Sequence, residues 1–89
     1  MPQPWTRSDD EVLATLQDLV AIDSVNPSLP GGAQGESGMV EYLSAFFAAL
    51  EIPYELCEVL PGRSNFIATF EGENPDRAIL FECHMDTAS

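Results

Sequence analysis

The sequence predicts an α/β fold in which two helices precede three strands. Three observations carry that expectation. Apolar residues recur at helical spacing through the first half of the chain. After Pro53 the period changes to strand-like alternation. A last run, Ala78-Ile79-Leu80-Phe81, is apolar on both faces, which suits a central strand covered by helices on each side.

Each element has its own signals. Residues 1–7 read as a proline-containing lead-in, with Trp5 as its packing anchor. Ser8 and Glu11 have the spacing of a capping box, and Asp9 and Asp10 place negative charge at the positive end of a helix dipole. Val12, Leu13, Leu16, Leu19 and Val20 then form one apolar face, up to about Ile22. Asp23 to Gly35 reads as a loop, because Asn26-Pro27, Leu29-Pro30 and Gly31-Gly32 are turn or breaker pairs. A loop of this length is often functional; within it, Asn26 is expected to shape a turn before Pro27. A second helix is expected from about Gly35 to Leu50, with Met39, Val40, Leu43, Phe46, Phe47 and Leu50 as a core-facing stripe and Glu36 and Glu41 elsewhere on the wheel. Tyr54 to Val59 reads as a strand, Leu60-Pro61-Gly62-Arg63 as a turn, and Asn65 to Glu71 as a second strand with Phe66, Ala68 and Phe70 on one face. A turn at Gly72 to Asp76 leads into the third strand. Arg63 and Asn65 flank the tighter turn and are expected to make structural hydrogen bonds.

Composition excludes several functions. Of 89 residues, 15 are acidic and 3 basic, so the formal net charge is -12. Such a chain repels phosphate backbones, which argues against nucleic acid as a partner. It has no polybasic surface for a membrane, and its apolar runs fall far short of the ~20 residues that a span needs. A hydrophobic content of 45% argues against disorder. Two cysteines, Cys57 and Cys83, are too few for a disulfide scaffold. The N-terminus has no basic start followed by an apolar stretch, so no secretory signal is read and the expected location is cytoplasmic.

The segment with chemistry in it is Phe81-Glu82-Cys83-His84-Met85-Asp86-Thr87. Here an apolar strand emerges into polar residues at its C-terminal end, where open α/β sheets bind ligands. His84 and Asp86, two apart, leave the same face of an extended backbone. That pattern suits a histidine binding a metal through one ring nitrogen while the other donates to a carboxylate. A surface histidine paired with a carboxylate accounts for the same spacing, and zinc needs three or four protein ligands. Cys83 points to the opposite face from His84 and is expected to be a small core residue.

The chain resembles the N-terminus of the zinc-dependent aminoacylase and carboxypeptidase family, which includes the acetylornithine deacetylases and succinyl-diaminopimelate desuccinylases. Four motifs carry the resemblance, in order. Leu19-Val20-Ala21-Ile22-Asp23-Ser24-Val25-Asn26-Pro27-Ser28 is similar to the family's opening signature. Gly35-Glu36 starts the second helix. Pro61-Gly62-Arg63-Ser64-Asn65-Phe66-Ile67-Ala68 resembles the family's turn into its next strand. His84-Met85-Asp86-Thr87 resembles its metal motif. Two departures are local: Cys83 stands where the family has a small residue, often glycine, and Ala88-Ser89 where it has valine and then proline or glycine.

The resemblance implies the N-terminal part of a three-layer α/β/α catalytic domain with a central sheet, occupying residues 1–89 with no second domain. It implies His84 as a ligand of one zinc in a two-zinc centre, with cobalt or manganese as alternative metals, and Asp86 as the catalytic aspartate that orients it. The implied reaction is attack of a metal-activated water on the amide of an N-acyl amino acid or small peptide, with a glutamate as general base. The bridging aspartate, that glutamate and the other ligands are expected beyond residue 89, and a homodimer of the full-length protein is left open. On this reading the chain alone is inactive, and its length is a cut just past the first metal ligand. The rival is a small non-catalytic α/β binding or interaction module with an incomplete metal site.

Overall fold

The computed structural model describes residues 6–88. Trp5 lies outside them. Helix α1 is Asp9–Ala21. Its N-terminus is held by a reciprocal capping box: the Glu11 amide donates to Ser8 Oγ at 3.2 Å, and the Ser8 amide donates to Glu11 Oε1 at 3.0 Å. Arg7 pairs with the same glutamate at 3.0 Å. Ser8 and Arg7 hold the Glu11 carboxyl below its ordinary value.

Helix α2 is Ser37–Ala49, with Glu36 at its N-cap. Its C-terminus closes on two backbone bonds: the Glu51 amide donates to the Ala48 carbonyl and the Ile52 amide to the Phe47 carbonyl, both at 3.0 Å. This is the Schellman pattern, and it places Glu51 at φ 58°, in the left-handed region.

Strands β1 (Tyr54–Leu60) and β2 (Arg63–Ala68) form an antiparallel hairpin, in which Tyr54 pairs with Ala68 and Cys57 with Asn65. The Pro61-Gly62 corner has Gly62 at φ 74°, as the third residue of a type II turn requires. The face expected of β2 is the one that packs. The Phe66 ring lies 5.4 Å from Phe47 of α2 and 5.1 Å from Tyr54 of β1, and Phe70 lies 6.4 Å from Phe47. Met39 and Ile52 are the buried apolar residues among those described.

The described residues thus form an α/β mix of two helices and a two-stranded sheet. Residues 78–86 make no ladder. A strand needs a neighbour for its amides and carbonyls, and no further strand lies beside this segment among the described residues. Ile79, Leu80 and Phe81 are therefore 81, 87 and 90% exposed. Cys83 is exposed as well, not a core residue, because the strand expected to carry it forms no ladder among the described residues. The apolar face of α1 also lacks cover: Val12, Leu13, Leu16 and Val20 are all exposed. No helix of the described residues is long and apolar enough to cross a membrane.

Candidate functional site

The loop after α1 and the segment around Asp86 meet, although 60 residues separate them. The Asn26 amide donates to the Thr87 carbonyl and the Thr87 amide to the Ser24 carbonyl, each at 2.9 Å, which makes a short parallel bridge between Val25 and Thr87. The loop behind it is a run of turns, with the Leu29 amide on the Asn26 carbonyl and the Gly32 amide on the Leu29 carbonyl. Gly32 permits this path. A Cβ there would sit 2.1 Å from the Asn26 carbonyl oxygen, well inside any contact distance.

Beside this bridge lie the two residues singled out by spacing. His84 Nδ1 lies 2.9 Å from the Asp86 carbonyl oxygen and 3.1 Å from Asp86 Oδ1. Both neighbours are acceptors, so in the neutral ring Nδ1 carries the proton and Nε2 keeps a free lone pair. The His84 side chain is 85% exposed. The other carboxylate oxygen, Oδ2, accepts from Asn26 Nδ2 at 2.7 Å. The Asn26 hydrogen bond, opposed by desolvation and helped by His84, holds the Asp86 carboxyl below its usual range. An open cavity of about 380 Å³ lies against these side chains and is lined by Ser28 and Leu29 as well.

Asn26 is the residue that reasoning from sequence alone undervalued. Its expected turn is present, with Oδ1 accepting the Ser28 amide at 2.8 Å. Its other role, toward Asp86, depends on a contact across the chain that no local pattern encodes. Arg63 behaves as expected: its guanidinium grips both carboxylate oxygens of Glu36. Glu36 itself is 8% exposed, and the Arg63 hydrogen bond holds its carboxyl below the ordinary range against the cost of desolvation. The charge of Asp86 reaches both members of this pair.

A metal would find one ligand position here. His84 is an exposed imidazole whose Nδ1 faces the Asp86 carbonyl and carboxylate, which leaves Nε2 as the nitrogen that could bind a metal. Among the described residues no group of three or more histidine, cysteine, aspartate or glutamate side chains could hold an ion. The residues fit one corner of a metal site, not a closed one.

No family model matches the chain, and no solved structure does. Two curated proteins match along most of its length. An acetylornithine deacetylase of Vibrio vulnificus (strain CMCP6) is 33% identical over 75 residues. An acetylornithine deacetylase of Vibrio campbellii (strain ATCC BAA-1116) is 33% identical over 76 residues. Each alignment covers 84% of this chain, and the chain spans about 19% of the length of either relative.

Proposed function

We propose that the chain supplies the N-terminal portion of the catalytic domain of a zinc-dependent amidohydrolase, which cleaves the amide of an N-acyl amino acid or a small peptide. The observation that carries this reading is the His84–Asp86 unit, a histidine with Nδ1 held by an aspartate and Nε2 presented outward beside an open cavity. The similarity to two acetylornithine deacetylases supports the reaction class.

In this reading His84 is a metal ligand through Nε2. Asp86 fixes its tautomer, orients the ring and makes it a better donor. When bound, zinc would supply Lewis-acid polarisation of the scissile carbonyl and lower the pKa of its water. The remaining ligands and the general base come from residues outside this chain. The complete domain is three-layered, with residues 78–81 as a strand of its central sheet. The bare faces of Ile79, Leu80 and Phe81 support that placement.

The test uses the protein with its downstream sequence. His84→Ala is expected to remove one metal equivalent and to lower hydrolysis of N-acyl amino acids by more than ~100-fold. Asp86→Asn is expected to weaken metal binding by about 10–100-fold. Unchanged metal content in His84→Ala, by elemental analysis, would sink the assignment.

A further inference from the structure

We infer that Asn26 is a positioning residue for the candidate site, which locks the Asp86 carboxylate so that one oxygen stays on His84. The side-chain amide of Asn26 is engaged at both ends. Oδ1 accepts the Ser28 amide at 2.8 Å, which fixes which way the group is turned. Nδ2 must then face Asp86, and it donates to Oδ2 at 2.7 Å. With Oδ2 occupied, Oδ1 is left facing His84 Nδ1 at 3.1 Å.

The arrangement supplies an order that the segment cannot supply for itself. Residues 78–86 have no ladder to hold them. The terminal torsion of an aspartate is broad and nearly two-fold, so an untethered carboxylate samples many orientations. Asn26 removes that freedom through a side chain fixed at its base, where its own amide donates to the Thr87 carbonyl. The buried Ser24 and the close approach of Gly32 to the Asn26 carbonyl pin the same stretch of loop. A run of polar contacts therefore passes from the Ser28 amide through Asn26 to the Asp86 carboxylate, whose Oδ1 stands 3.1 Å from a His84 ring that also hydrogen-bonds the Asp86 carbonyl through Nδ1. Its purpose as metal-ligand positioning rests on the proposed hydrolase, whereas the coupling itself does not.

The experiment is long-range 1H–15N NMR on the metal-free protein with its downstream sequence, at a pH well above the imidazole range. Wild-type His84 is expected to be mainly the Nδ1–H tautomer. Asn26→Asp keeps an acceptor for the Ser28 amide but sets a carboxylate, not a donor, against Asp86. It is expected to shift the His84 ring nitrogen resonances, with the Asp86 carbonyl still facing Nδ1, while the Ser28 and Thr87 amides keep their shifts. A wild-type ring spectrum in Asn26→Asp overturns the proposal. Should that variant lose the loop, the Asn26 side-chain amide of the wild-type chain decides. One of its protons is expected to be shifted and slowed in exchange, and to revert in Asp86→Ala; free-amide behaviour in the wild type overturns the proposal. Neither readout needs metal or substrate, so failure here is distinct from failure of the hydrolase reading.

Discussion

At the scale of single residues, the structure turns on a few polar groups placed between segments far apart in sequence. Arg63 on Glu36 joins the start of β2 to the start of α2, and Asn26 on Asp86 joins the loop after α1 to the candidate site. The Arg63 pair has a pH signature. Its hydrogen bond lowers the Glu36 carboxyl in the folded chain below its ordinary value. A depressed carboxyl stabilises the fold fully above its unfolded value, and that contribution is lost as pH falls through the folded one. Arg63 is about one third exposed, so solvent screens part of the effect. Protection of the Val40 amide, which donates to the Glu36 carbonyl, reads it locally. Protection is expected to be flat near neutral pH and to fall as the pH is lowered through the carboxylate range. Glu36→Gln is expected to cut it several-fold at neutral pH and to flatten the acid limb. An equally steep limb in that variant would show that another group sets it.

At the scale of elements, the sequence was legible wherever the determinants are local. The capping box of α1, the stripe of α2 and the Pro61-Gly62 corner all lie within a few residues of what they control. The third strand was not decided locally. Ala78 to Phe81 has the composition of a buried strand, but a strand exists only against a partner, and β1 and β2 pair with one another. The site was half legible: the two-residue spacing of His84 and Asp86 showed their shared face, while Asn26 became visible only with the bridge from Val25 to Thr87. One local feature conflicts with its residue. Glu51 closes α2 at φ 58°, where glycine is preferred because its missing Cβ avoids the carbonyl clash. Glu51→Gly is expected to stabilise that end by about 1 kcal/mol. This corresponds to about fivefold slower exchange of the Ile52 amide, whose bond to the Phe47 carbonyl completes the cap. Gly62→Ala is the opposite case, since it sets a Cβ at φ 74° with open space around it. It is expected to weaken the hairpin by a similar amount and to leave the His84 ring spectrum unchanged.

At the scale of the whole molecule, the balance of covered and bare surface separates the two readings of function. A self-sufficient binding module should enclose its own core. Here the buried apolar residues among those described are Met39 and Ile52. The radius of gyration is 14.8 Å, against roughly 12 Å for a compact domain of this length. The bare surface is organised, not scattered. Ile79, Leu80 and Phe81 are consecutive, and all three are above 80% exposure. Unpaired backbone beside such residues is a template for another strand, and large exposed apolar patches mark surfaces that other chains cover. The 89-residue chain on its own is therefore expected to self-associate at micromolar concentration, to bind hydrophobic dyes and to melt over a broad range. The net charge of -12 opposes collapse into larger aggregates, so small oligomers are the expected species. Ile79→Lys with Phe81→Lys places charge on the segment, a device by which natural edge strands avoid pairing. Sedimentation should then move toward monomer, with the His84 ring spectrum retained because the Asn26–Asp86 link lies outside the substituted stretch. A wild-type chain that sediments as a monomer and melts in one sharp transition would favour the self-contained module, and with it a site never completed by further ligands.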